Sequence, residues 1–394
     1  MNNKWTVALA ALGVVSIASV AQAEEKASQA LTSLSSTTIS GYVDTSAHWN
    51  FGTGNANLPI YKFNSASKAD GFNLNVVQVS LDKPLDESEW ASGYHVDMWA
   101  GPDAKALGTS SFGGGGDVAI RQAYVALRAP LGTGLNLKMG VFDSILGYES
   151  VEAGKNPNYT RSFGNTLDPQ THTGLLASYR FCEVFSASAG VANTTGPQIN
   201  TRPDSSRAES YKTYMGSVAM TAPESMGFLK GSTVYAGAVS GFNNSIPTTS
   251  VDMAAQSYYL GATIATPVDG LRFGAAYDLL VANTLAASTH QKRDDSALAG
   301  YVSFQATEKL SLHGRFDWAR IDQDLPTPTT DVSLYATTAT VQYELWANVL
   351  SRLEFRWDHA DHGKVYGDSG ISSASITPDR ANAFLLALNV IYKF

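Results

Sequence analysis

Cysteine is almost absent from this chain: Cys182 stands alone in 394 residues, so no intramolecular disulfide can staple the fold. In its own neighbourhood it reads as a small apolar residue in a turn. Charge is scarce as well, at 16% of residues, where soluble globular chains carry about 25%. That excludes the charged surface of an ordinary soluble helical enzyme. Long apolar runs are missing beyond residue 23, and a helical membrane protein needs about 20 consecutive apolar residues for each span. Basic residues are the minority, 27 against 35 acidic for a net charge of −8, so a polyanion such as nucleic acid is excluded as a partner class. Disorder is excluded by the opposite observation, because 44% hydrophobic and 10% aromatic residues are ample for burial. Gly (34 residues) and Tyr (18), with Ser, Thr and Ala, take the place of the missing charges.

The one strongly apolar stretch is N-terminal. Lys4 gives a basic start, residues 5–20 form an apolar core, and Ala21-Gln22-Ala23 fits a small-x-small cleavage site. The acidic Glu24-Glu25 that follows supplies no stop-transfer pattern. Residues 1–23 therefore read as a removable export signal and 24–36 as a periplasmic lead-in to the folded part, 37–394.

Beyond residue 37 the apolar residues recur at every second position, which is the period of a strand. In 310–320, Leu310, Leu312, Phe316 and Trp318 share one face, and Ser311, His313, Arg315 and Asp317 share the other. In 348–359, Leu353, Phe355 and Trp357 oppose Arg352, Glu354, Arg356 and Asp358. The same parity predicts sixteen strands, near 37–49, 72–82, 90–99, 118–129, 135–142, 172–181, 183–192, 210–222, 228–241, 254–266, 270–282, 296–306, 309–320, 331–344, 348–359 and 381–394. Short and long connections alternate strictly between them. A soluble sandwich has no reason to sort its loops in this way, whereas an antiparallel transmembrane β-barrel has short periplasmic turns at one rim and long extracellular loops at the other.

Aromatic residues fall at both expected rims: Trp49, Trp318 and Trp357 at the extracellular strand ends, and Phe181, Phe228, Phe304 and Phe394 at the periplasmic ends. Two girdles follow. The last strand places Leu388, Val390, Tyr392 and the terminal Phe394 on one face, which resembles the C-terminal signature by which outer-membrane barrels are taken up for insertion. Outer-membrane lipid and the barrel-assembly machinery are the partners that this implies.

The stretch 120–175 carries a closer resemblance. Ile120-Arg121-Gln122-Ala123-Tyr124-Val125, Leu127-Arg128-Ala129-Pro130, Lys138-Met139-Gly140-Val141-Phe142-Asp143, Gly147-Tyr148-Glu149, Asn156-Pro157-Asn158-Tyr159-Thr160-Arg161-Ser162 and His172-Thr173-Gly174 resemble the OmpL-like beta-barrel porin 2 family of Gram-negative outer membranes. The resemblance implies an outer-membrane channel for small hydrophilic solutes and ions, with no cofactor and no catalytic residues to carry over. A homotrimer is compatible with it.

A pore works through its inward face. Parity sends Arg128, Lys138, Arg180, Arg272, Arg315, Arg352 and Arg356 inward, with Asp97, Asp278, Asp317, Glu354 and Asp358; many of these are expected to pair across adjacent strands. The longest connection, 143–171, has the apolar anchors Ile145, Leu146, Tyr148, Val151, Tyr159, Phe163 and Leu167, and a loop this long is rarely a mere hairpin link. As in general porins, where the third loop folds into the lumen, it is expected to form a constriction. Its acidic Asp143, Glu149, Glu152 and Asp168, beside Arg161, would then stand opposite wall arginines such as Arg315 and Arg356. An external lid over the mouth is the other reading.

Three motifs imitate other chemistry. Gly367-Asp368-Ser369-Gly370, with His290 and Asp317 upstream, matches a serine-protease tetrapeptide but sits in a polar loop without an oxyanion context. His359, Asp361 and His362 read as a solvated cluster rather than a metal site. Gly113 to Gly116 lack the Lys-Ser/Thr of a phosphate loop. An outer-membrane barrel hydrolase and a surface adhesion barrel remain as alternatives of other classes.

Overall fold

The computed structural model describes residues 36–52, 55–109, 116–203, 209–243, 253–284, 292–324, 330–367 and 377–394. The signal reading of 1–23 and the motif serine, Ser369, lie outside the described residues.

Sixteen antiparallel strands close into one barrel. They are β1 (Thr38–Asn50), β2 (Gly71–Lys83), β3 (Ser92–Ala100), β4 (Val118–Ala129), β5 (Leu135–Asp143), β6 (Thr171–Arg180), β7 (Phe185–Ala192) and β8 (Thr213–Thr221), then β9 (Thr233–Asn243), β10 (Met253–Ala265), β11 (Leu271–Thr284), β12 (Lys292–Gln305), β13 (Leu310–Asp324), β14 (Thr330–Trp346), β15 (Val349–Ala360) and β16 (Asn382–Lys393). Each strand pairs with its neighbours in sequence, and β1 closes on β16 through partners such as Tyr42↔Lys393 and Trp49↔Leu386. The seam is finished by reciprocal backbone bonds between Gly41 and Phe394, 2.9 and 3.0 Å. Closure leaves no unpaired edge, a requirement for any sheet surrounded by hydrocarbon.

The polarity of the wall is inverted relative to a soluble fold. Along β13, Leu312 and Phe316 face outward and are exposed, while Ser311, His313, Arg315 and Asp317 face inward and are buried. Phe72, Met139 and Leu353 are likewise outward and exposed, Phe72 to 90%. An apolar belt of this kind is at home only in lipid. Trp49 and Trp357 lie exposed at one rim, and Phe181, Phe228 and Phe394 at the other. Leu388, Val390, Tyr392 and Phe394 follow one another down the outer face of β16 and the chain end, alternating with the buried Ala387, Asn389 and Ile391.

The strict alternation of short and long connections does not hold. The β8–β9 turn, 222–232, is longer than the extracellular β13–β14 link, 325–329. Two causes act. Residues 224–229 form a 3₁₀ turn with Gly227 at φ 60° instead of starting β9. On the other rim, β13 and β14 continue beyond the lipid belt, where Arg320 reaches Asp331 (3.3 Å) and Gln323 donates to Asp295 (2.9 Å). Strands tied by polar side chains above the membrane show no apolar alternation.

Two short helices lie in loops: α1 (Pro102–Leu107) in the β3–β4 loop and α2 (Phe163–Leu167) in the β5–β6 loop. The packed core sits on the inner wall. Ile145 and Leu146 of the β5–β6 loop join Leu176, Met215, Tyr235, Val239, Tyr259 and Tyr301 from the strands in one cluster. Phe163 and Leu167 of α2 pack on Ala297, Ala319, Leu334 and Ala336.

Candidate functional site

The β5–β6 loop starts and ends at one place, because Asp143 pairs with Thr171 across the two strands. Its interior nevertheless meets strands far around the wall. Tyr148 stacks on Tyr301 of β12, ring centres 4.1 Å apart, and accepts from Thr263 of β10 at 3.2 Å. Small wall residues make the room: a Cβ on Gly274 of β11 would stand 1.9 Å from the Tyr148 hydroxyl. Val151 and Ala153 reach the cluster of Tyr42, Val76, Leu350 and Ile391 at the β1–β16 seam. Asn158 donates to Thr340 of β14 at 2.7 Å.

Charged groups fix the middle of the loop. Arg315 of β13 donates to Glu149 (3.0 Å), to the Thr160 carbonyl (2.7 Å) and to the Arg161 carbonyl (3.0 Å), and its Nε is held by Asp317 (2.7 Å). Glu354 of β15 accepts the backbone N–H groups of Tyr159 (2.6 Å) and Thr160 (2.9 Å). Arg352 donates to the carbonyls of Ala153 (3.1 Å) and Asn156 (2.8 Å). Arg356 donates to the Arg161 carbonyl at 2.6 Å, is clamped by Asp358, and lies over the rings of Tyr61 and Phe163 at 4.5 and 5.2 Å. The side chains of Arg315 and Arg356 are 0% exposed. A guanidinium in that state is kept by its fork of donors, each matched to a carboxylate or carbonyl.

The second anchor was not foreseen as a site. Arg121 of β4 binds Asp143 (2.6 Å) and Glu152 (2.8 Å) of the loop, together with Asp97 of β3. Its alternation with the outward Ile120 was a usable signal, since a lone basic residue on an inward face needs an acid. Lys155 of the loop shares Glu152 at 2.9 Å.

Two expectations are corrected. Asp168 does not stand opposite an arginine; its carboxyl hydrogen-bonds that of Asp278, on the inner face of β11. Burial, and then the Asp278 carboxylate beside it, push the Asp168 carboxyl well above the usual range. The loop backbone sets this meeting: α2 crosses β11–β13 with Gly164 against Asp278, where a Cβ would come within 1.9 Å of a carboxylate oxygen. Nor do the wall charges pair chiefly across strands. Arg315–Asp317 and Arg356–Asp358 are neighbours two residues apart on one face of one strand.

The remaining inward charges lie toward the periplasmic rim. Arg128 donates to Asn136 (2.9 Å), Lys138 lies over the Tyr124 ring (4.6 Å), and Arg180 donates to the Cys182 carbonyl (3.1 Å) in the turn that holds the exposed cysteine. Arg272 is half-buried near the start of β11. His359 is bound to Asn382 at 2.9 Å, and Asp361 and His362 are exposed. Among the described residues no group of three His, Cys, Asp or Glu could hold a metal.

Solved structures share this architecture. The outer-membrane channel DcaP of Acinetobacter baumannii matches with a TM-score of 0.61 and 11% identity, over 91% of this chain and 97% of that one. The anion-selective porin from Comamonas acidovorans gives 0.58 and 11%, over 91% and 99%. The trimer form of OmpT, an outer-membrane protein of Vibrio cholerae, gives 0.56 and 10%, again over 91% and 99%. At such identities the likeness is one of fold. A search of the curated proteins gave no match. A family profile described as "Putative beta-barrel porin-2, OmpL-like" matches residues 36–394. The chain belongs to this family of beta-barrel porins and is an outer-membrane porin channel.

Proposed function

We propose that the channel passes small hydrophilic solutes and ions by passive diffusion, that segment 143–171 is its constriction, and that the inward charges of β3–β5, β11, β13 and β15 set which solutes pass. The observation that carries this is the Arg315 guanidinium, which ties Glu149, Thr160 and Arg161 of the loop to the wall of β13. No cofactor and no catalytic group enters this mechanism. Residues 1–23 act as the export signal and 24–36 as the periplasmic lead-in. The functional unit is a homotrimer in outer-membrane lipid, delivered by the barrel-assembly machinery through the outward row ending in Phe394; the trimer form of the Vibrio OmpT fold supports that assembly.

Removing residues 150–165 tests the constriction. The wall groups that the deletion uncovers, such as Arg352 and Glu354, would meet lumen water and not an apolar core, so the barrel should survive. Single-channel conductance and the size limit for sugars should rise. Unchanged conductance in a folded, deleted barrel would mean that the segment does not narrow the path.

A further inference from the structure

The extracellular mouth holds positive charge that the constriction leaves unused. Loop 51–70 brings Tyr61-Lys62-Phe63 beside segment 143–171, and Phe63 adopts a left-handed backbone, φ 68°, which is strained for a bulky residue. Its ring is the meeting point of two cations: Lys62 Nζ stands 5.9 Å and the Arg161 guanidinium carbon 5.8 Å from the ring centre. A cavity of about 20 Å³ opens among these residues, Lys68, Asp44 and Asp103, enough for about one water-sized atom.

The charges of this cavity do not balance. Lys68 is paired with Asp103 at 2.5 Å, and Asp44 is held by the amides of Asn75 (3.0 Å) and Asn389 (2.6 Å). Among the described residues, no carboxylate forms an ion pair with Lys62 or Arg161, whereas Arg121, Arg315 and Arg356 each have one; Arg352 has none either, but three acceptors, the Gln342 amide and the carbonyls of Ala153 and Asn156, hold it to the wall and loop. Arg161 is only 3% exposed. It donates to the carbonyls of Tyr159 and Val151, both at 3.1 Å, and its Nε–H has no acceptor. Asp44 and Asp103 line the same cavity, but a buried guanidinium with an idle donor and no carboxylate in direct contact is costly.

We propose that this cavity is an anion subsite, in which Lys62 and Arg161 hold the carboxylate group of a small solute at the channel entrance. The proposal rests on the channel reading for its role in transport, but not for binding itself. A carboxylate suits the geometry because one oxygen fills the space beside the Arg161 Nε–H while the rest of the solute stays in the mouth. The carboxylate's single charge also matches the one formal positive charge left when Lys62, Lys68 and Arg161 are set against Asp44 and Asp103, which a doubly charged phosphate would exceed.

Formate is the probe, and two readouts separate binding from transport. In planar bilayers under a potassium formate gradient, Lys62→Gln should lower the formate-over-potassium permeability ratio roughly two- to fivefold, the loss expected for one partly hydrated ion contact. Lys62→Arg and the exposed control Lys105→Gln should keep it. In detergent, formate should change the emission of Trp99, whose ring packs on Phe63 at 5.8 Å. That change should vanish in Lys62→Gln and in Trp99→Phe. Conducting channels in which Lys62→Gln alters neither readout would overturn the subsite. An equal drop for chloride would reduce it to a general field and overturn the carboxylate assignment. A folded protein that carries no current but still gives the formate-dependent emission would instead overturn the channel and leave the subsite standing.

Discussion

Replacing Arg315 by Met should loosen segment 149–163 without unfolding the barrel. Arg315 makes four bonds to the loop, to Glu149, to the Thr160 carbonyl and hydroxyl, and to the Arg161 carbonyl, between 2.7 and 3.2 Å. The substitution removes all four and leaves Glu149 and Asp317, each 1% exposed, without their cation. Breaking one partner out of a buried pair costs about 3–5 kcal/mol. Here the cost is capped, because the loop can lift into water and rehydrate both carboxylates; Arg352, Glu354 and the apolar anchors still hold its flanks. The strand ladder is untouched, since its pairing of Arg315 with Tyr301 and Thr338 is made by the backbone; on the wall the substitution removes only the bonds to Asp317 and, at 3.3 Å, to the Thr338 hydroxyl. Hydrogen exchange should show amide protection over 149–163 falling by more than about a hundredfold, the equivalent of ~3 kcal/mol, and open-channel noise should increase. Arg315→Lys should fall between, because an ammonium cannot supply the planar fork. Folded Arg315→Met channels with unchanged exchange and unchanged noise would refute the wall anchor.

Three further outcomes follow from the same geometry. Phe394, the residue after β16, continues its outward row and closes on Gly41, so its deletion should lower the yield of heat-modifiable barrel, with a loss of about 1.5–3 kcal/mol from the ring alone; equal outer-membrane yield would count against the insertion signal. Leu353→Arg, on the exposed outer face between Arg352 and Glu354, should destabilise the folded barrel by about 2–4 kcal/mol if it meets lipid near the midplane, as read by urea unfolding in vesicles; a neutral result would place that face away from hydrocarbon. The Asp168 carboxyl has a raised pKa, so docking is strongest when it is protonated and weakens as pH climbs from the ordinary carboxylate value of 3.8. Current noise should therefore grow with pH in the wild type and stay level in Asp168→Asn. The same pH response in both would dismiss the Asp168–Asp278 pair as its source.

The strands were legible because lipid and lumen impose opposite demands on alternate residues. β4 is found at 118–129, as its alternation predicts, and the outward aromatics of β13 and β15 mark their faces without help from tertiary contacts. Legibility fails where those demands stop. Phe228 keeps the parity of a strand, yet the positive φ of Gly227 turns the chain beside it. Above the lipid, Asp322, Gln323 and Asp324 continue β13 through backbone pairing and polar side chains, for which a period of two in apolar residues is the wrong detector.

The site divides along the same physical line. That Arg315, Arg352, Glu354, Arg356 and Asp358 face inward follows from period alone, because lipid forbids the other face. Their partners do not, because a loop is free to bring any of its groups to any part of the wall. What decides the pairing is where small side chains leave space: Gly274 admits Tyr148, and Gly164 lets α2 settle onto Asp278. Once α2 is seated, Asp168 has no arginine within reach and meets a carboxyl instead, while Arg161, turned toward Phe63, is left without an acid. Steric fit thus overrides charge matching at both points. One mismatch sets two carboxyls against each other and the other leaves a guanidinium with no carboxylate in contact, and both follow from where the loop backbone can settle.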